Sequence, residues 1–197
     1  MKRFVIVVDT QADFMRADGA LYVSEANTLI GPMQARLCSL LERDTAGVLF
    51  TFDTHSTETY GGSAEAEQFP VHCLRGTEGW ENVLHPEAVD HTIPIYRLEK
   101  HVFDMWAEPD AAIELSATGE QIARDHFFAE LKAQGVTDVS VFGVAADYCL
   151  RWAIEGLLTR GFAVEVPAHL TRGIARSIEQ VIAEQFGDAQ VQLEAAA

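Results

Sequence analysis

The chain reads as an α/β domain, a mostly parallel sheet covered by helices on both faces. Three observations predict this. Short, continuous runs rich in β-branched residues recur along the sequence, the pattern of strands buried on both faces. Stretches with helical spacing lie between them, and glycine follows three of these, at Gly47, Gly135 and Gly161, as a stop signal. Finally, 48% of the 197 residues are hydrophobic, which is enough for a sizeable core in a single domain spanning 1–197. Alternation of strand and helix implies right-handed crossovers, and in such sheets ligands sit beyond the carboxyl ends of the strands.

In chain order, Phe4-Val5-Ile6-Val7-Val8 predicts a first strand ending at Asp9, and helical spacing follows over 26–42. Val48-Leu49-Phe50-Thr51-Phe52 predicts a second strand ending at Asp53. Residues 54–91 break the alternation, being rich in Gly, Glu, His and Thr with little periodicity. A loop of that length inside a compact domain is uncommon and usually functional. Beyond it the pattern predicts strands at 92–96, 139–142 and 163–166, with a sixth at 191–193, and helices at 121–134, 147–160 and 174–186.

The 30 acidic residues outnumber the 14 basic ones, and a net charge of −16 argues against a nucleic-acid partner. No run approaches the roughly 20 apolar residues of a membrane span, and residues 4–8 are too few for the core of a secretory leader. Three widely spaced cysteines, Cys38, Cys73 and Cys149, argue against a disulfide framework and for a reducing compartment. The expectation is a cytoplasmic homo-oligomer that meets a small molecule, not nucleic acid or membrane.

Chemistry-bearing residues gather at the strand ends. Asp9 follows the first strand and Lys100 the third; the fourth leads through GVAADYC at 143–149 into a helix whose first turn holds Cys149. Taken singly, Asp9 would be a turn residue, Lys100 a solvated charge and Cys149 a small buried apolar side chain. Together on one rim they can form a nucleophile, a base and a supporting cation. A thiol near a helix N-terminus and beside an ammonium is expected to favour its thiolate. Asp9 would accept and return the proton, and backbone N–H groups of the Ala145 to Cys149 turn would receive an oxyanion. A second constellation, Asp53, His55 and His72 with Glu58, Glu65 and Glu67 between them, suits a divalent first-row metal.

DTQADF at 9–14, FDTH at 52–55, FPVHC at 69–73 with RGTEG at 75–79, Lys100 and GVAADYC at 143–149 stand in an order that resembles the isochorismatase-like cysteine hydrolases, and within them the nicotinamidases. The resemblance implies a three-layer αβα sandwich with a six-stranded, largely parallel sheet. It implies hydrolysis of nicotinamide to nicotinate and ammonia through a Cys149 thioester, with Asp9 as base and acid and Lys100 as the supporting cation. It implies one divalent metal, zinc, iron or manganese, on Asp53, His55 and His72. Many nicotinamidases carry a further histidine where residues 56–68 have none; the members that use a glutamate seven residues before the last histidine point to Glu65. Phe14 and Phe69 match aromatic pocket walls, which Phe103 or Trp106 would complete, and Val144-Ala145 matches a peptide that is often cis. Isochorismatases lack the nucleophilic cysteine, and carbamoyl-amide and ureide hydrolases of the superfamily generally lack the metal set. Another small amide or ureide as substrate, or a non-catalytic metal- and thiol-binding protein, is the alternative reading.

Overall fold

The computed structural model describes residues 2–187 and 191–194; residues 1, 188–190 and 195–197 of the expected domain lie outside them. Among the described residues nine strands join one sheet: β1 (Arg3–Val8), β2 (Thr45–Asp53), β3 (Ile95–Lys100), β4 (Ala112–Leu115), β5 (Glu120–Ala123), β6 (Asp138–Val144), β7 (Ala163–Pro167), β8 (Thr171–Arg172) and β9 (Val191–Glu194). The order across the sheet is β5-β4-β3-β2-β1-β6-β7-β9, with β8 paired to β6. The helices are α1 (Ala12–Met15), α2 (Ile30–Cys38), α3 (Arg124–Ala133), α4 (Cys149–Thr159) and α5 (Ile178–Gln185).

Side chains of successive strand residues leave opposite faces, and the core divides accordingly. Phe4, Ile6 and Val8 of β1, with Leu49, Leu98, Val139 and Val141, pack under α3, α4 and α5 through Phe128, Leu150, Ile154 and Val181. Val5 and Val7, with Val48, Phe50 and Phe142, pack on the other face against Met33 and Leu37 of α2 and against Leu84, Val89 and Ile93 of the long connection. Both faces of β1 are therefore dry, which is why it reads as an unbroken apolar run. The result is the expected three-layer α/β architecture.

The six expected strands correspond to β1, β2, β3, β6, β7 and β9, which pair in parallel. The count of six is corrected to nine by the two-residue β8 and by an antiparallel hairpin, β4–β5, added to β3. That hairpin ends the sheet with exposed polar residues such as Glu120 and Gln121, as edge strands do, so it carries no buried-strand pattern. It also takes residues 121–123 from the helix expected over 121–134. The third strand starts at Ile95 rather than 92, because Pro94 has no N–H to give the ladder. Lys100 is thus its last residue. The helix expected over 26–42 is a 3₁₀ turn at Ala26–Leu29 followed by α2, an arrangement that keeps Pro32 within the first turn of the α-helix. The helix expected from 174 starts only after Ser177, whose hydroxyl and Gln180 close a capping box. The long connection, 54–91, contains four 3₁₀ turns and no longer element.

Reading only the parallel strands, the order β3-β2-β1-β6-β7-β9 reverses direction between β1 and β6. The crevice beyond the strand ends at such a reversal is where open α/β sheets bind ligands.

Candidate active site

Four neighbouring strands end on this rim. The β2–β3 register pairs Asp53 with Lys100, the last residue of each strand. The β1–β6 register pairs Val8 with Gly143, so Asp9 leaves one strand beside the start of the turn that leads to Cys149. Asp9 takes a left-handed conformation, φ 47°, and its Oδ1 accepts the Thr51 hydroxyl at 2.6 Å. Cys149 opens α4, and the Val144–Ala145 peptide bond before it is cis.

Lys100 lies at the centre and is 1% exposed. Its Nζ stands 2.9 Å from Asp9 Oδ2, 3.4 Å from Asp53 Oδ1 and 3.5 Å from Cys149 Sγ. Burial pulls the ammonium toward neutrality, but the Asp53 and Asp9 carboxylates outweigh it and hold the Lys100 pKa well above its usual value. Burial likewise pushes the Asp53 carboxyl up; the Lys100 charge and hydrogen bonds from His55 and His72 reverse this and hold it well below the usual range. The thiol differs from expectation. Burial pushes Cys149 up, the nearby ammonium counters only in part, and Asp9 and Asp53 push it further, well above its usual pKa. The group is a thiol that needs a base.

Asp53, His55, Glu65 and His72, all buried, bring one donor atom each within 4.8 Å of one another. His55 Nε2 is 3.0 Å from Glu65 Oε2, and His72 Nε2 is 3.1 Å from Asp53 Oδ2. The His72 Nδ1–H donates to Pro70 O at 2.8 Å, which turns Nε2 toward the cluster. Tyr60 supports this from behind, its hydroxyl donating to Pro70 O at 2.7 Å. The Gln11 carboxamide accepts the Asp53 N–H and donates to the Asp53 carbonyl, both at 2.8 Å. Glu65 is 2% exposed, yet neither carboxylate oxygen receives a hydrogen bond. A buried carboxylate in that state is costly unless a cation meets it. Two imidazoles and two carboxylates fit a divalent first-row ion. Glu58 and Glu67, by contrast, face solvent.

The expected pocket residues separate. Phe14 stands beside His72, with ring centroids 5.3 Å apart. Phe69 and Phe103 meet edge-to-face at 5.6 Å, and Tyr148 packs against each at 5.3 Å. Trp106 does not join them. Its ring lies on Phe128 and fills the space over Gly156 of α4, so it belongs to the helical layer. Sequence reasoning missed Tyr148 as a pocket residue, although an aromatic side chain directly before the expected nucleophile was a visible signal. Of the turn N–H groups, those of Ala146 and Tyr148 are engaged by Arg172 O at 2.8 Å and Ala145 O at 3.1 Å.

Residues 3–183 match the family model described as the isochorismatase domain. The chain belongs to the isochorismatase family. A curated relative, the nicotinamidase/pyrazinamidase of Mycobacterium tuberculosis, is 26% identical over 192 residues, covering 97% of each chain. Among solved structures, the pyrazinamidase of Pyrococcus horikoshii in complex with zinc superposes with a TM-score of 0.74 at 23% identity, covering all of both chains. N-carbamoylsarcosine amidase from Thermoplasma acidophilum superposes at 0.70 with 21% identity, covering 99% of this chain and 96% of that one. At these identities the superpositions establish the shared fold.

Proposed function

We propose that this amide-hydrolysing enzyme converts nicotinamide to nicotinate and ammonia, with Cys149 as nucleophile, Asp9 as base and acid, and Lys100 as their supporting cation. The observation that carries the reading is the position of Lys100, within 3.5 Å of Asp9, Asp53 and Cys149 at once, which joins the nucleophile to the donor cluster in one buried cleft. A binding-only protein has no use for that junction.

Asp9 removes the thiol proton as Sγ attacks the amide carbon, and Lys100 stabilises the developing thiolate. Of the three other turn N–H groups, on Ala145, Asp147 and Cys149, those of Ala145 and Cys149 would receive the carbonyl oxygen as it gains charge. Asp9 then gives its proton to the departing amine, releasing ammonia and leaving a thioester. Next it takes a proton from water as that water attacks the thioester carbon, and returning the proton to sulfur frees nicotinate. Asp53, His55, Glu65 and His72 would hold a divalent ion, zinc being the best fit to an N₂O₂ set. When bound there, such an ion would supply a Lewis acid for the pyridine nitrogen. Phe14 on the cluster side and Phe69 and Phe103 with Tyr148 on the thiol side would enclose the ring, while Val144 and Ala145 shape the floor.

The test is ammonia release from nicotinamide, pyrazinamide and N-carbamoylsarcosine, before and after dialysis against a chelator, with Cys149→Ala as the blank. Nicotinamide and pyrazinamide should be hydrolysed, and chelation should reduce their turnover until zinc is restored. Release from N-carbamoylsarcosine alone would overturn the substrate assignment. The ligand set has its own measurement. Glu65→Gln should weaken zinc affinity by at least about 10-fold, the loss seen even for groups that only orient metal ligands, and so lower bound metal per chain at limiting zinc, while Glu58→Gln and Glu67→Gln retain it. Equal metal content in all three would remove Glu65 from the set.

A further inference from the structure

Asp13 and Gly79 take no part in the chemistry above, yet three segments are moulded around the Asp13 carboxylate. Its Oδ2 accepts the Cys73 N–H at 2.7 Å, and its Oδ1 accepts the Ala20 N–H at 3.0 Å. A Cβ on Gly79 would lie 2.3 Å from Oδ2, so any side chain there would take the carboxylate's place.

Cys73 is the residue that matters in this contact. Its φ is 47°, a left-handed conformation disfavoured for a residue with a Cβ. It follows His72 directly, and its carbonyl accepts the His55 N–H at 3.0 Å. The backbone of Cys73 therefore ties together the segments that carry two of the four donors in the cluster. Asp13, with a charge-assisted hydrogen bond, holds that backbone from the opposite side.

We propose that Asp13 is a positioning residue for the metal centre, its carboxylate keeping Cys73 in the left-handed turn that sets His72 against His55. The proposal rests on the reading of Asp53, His55, Glu65 and His72 as a metal site.

The experiment measures zinc affinity by competition with a chelating dye for the wild type, Asp13→Ala, Cys73→Gly and the double variant, with urea melts as the stability record. Asp13→Ala should weaken zinc binding 10- to 100-fold, the usual effect of losing a residue that orients metal ligands. In the double variant most of that loss should be recovered, because glycine adopts positive φ without assistance. A purely structural role gives the opposite result: removing the buried Cys73 side chain adds a cavity, and the double variant would bind no better than Asp13→Ala. That outcome, or an unchanged affinity in Asp13→Ala, would overturn the proposal. Gly79→Ala, which displaces the carboxylate without deleting it, should weaken zinc binding in the same direction and stands in if Asp13→Ala is insoluble. A wild type that takes up no zinc would overturn the metal reading itself, an outcome distinct from all of these.

Discussion

Replacing Cys149 by alanine is expected to lower kcat for nicotinamide hydrolysis by at least about 10,000-fold, the scale on which enzymes lose rate when a nucleophile is removed. The side chain is 4% exposed, with Lys100 Nζ 3.5 Å from its sulfur. Neither other thiol is placed to substitute: Cys38 is exposed at the end of α2, and Cys73 packs in the core layer that α2 covers, not in the one that holds Cys149. The proposed ring contacts, by contrast, are with Phe14, Phe69, Phe103 and Tyr148, none of which the substitution removes. Ammonia release and nicotinamide binding, the latter by calorimetry, should therefore separate: turnover lost, affinity within a few-fold of wild type. Turnover near the wild-type rate would rule out the thioester.

Gly143→Ala should be severely destabilising, costing more than about 4 kcal/mol, the range reserved for severe backbone conflicts. Gly143 has φ 132°, and a Cβ there would lie 2.1 Å from the Val8 carbonyl oxygen and 2.7 Å from the Val8 nitrogen. These are backbone atoms of the paired central strand, so nothing can rotate away. Relief requires parting β1 from β6, which would also part Asp9 from the Cys149 turn. Gly31→Ala is the control: it lies in the first turn of α2 with nothing within 4 Å of its Cβ, and alanine should be neutral or stabilise by up to about 1 kcal/mol. Urea unfolding midpoints compare the two; a Gly143→Ala midpoint equal to that of wild type would refute the clash.

The central strands were legible because each is apolar on both faces, and parallel strands place their carboxyl ends on one rim. That is why Asp9, Lys100 and Cys149 could be grouped from sequence although 91 and 49 residues separate them. The β4–β5 hairpin was not legible, since a solvated edge of Glu, Gln and Ala resembles a loop or a helix face. Glu65 could be preferred to Glu58 and Glu67 only through family resemblance, because its burial depends on how the long connection folds. The Cys149 thiol shows the limit most clearly. A helix N-terminus and a lysine are visible in a sequence, but burial and the nearness of Asp9 and Asp53 are tertiary facts, and they reverse the expected direction. Tyr148 and Asp13 belong to the same class, their roles set by contacts with Phe103, Phe69 and Cys73 across the fold.

The pairing of β1 with β6 has a consequence for a chain still being synthesised. A ribosome that has released residues up to β3 has delivered Asp9, Lys100 and all four residues of the donor cluster, but not Cys149. The thiol emerges later, at the start of α4, and meets its partners only when β6 slots in beside a strand made some 130 residues earlier. Closing so distant a contact is among the slower steps of folding. The proposed machinery thus comes together only once β6 is in place, and a truncated product of translation that stops short of α4 would hold the donor cluster without the thiol.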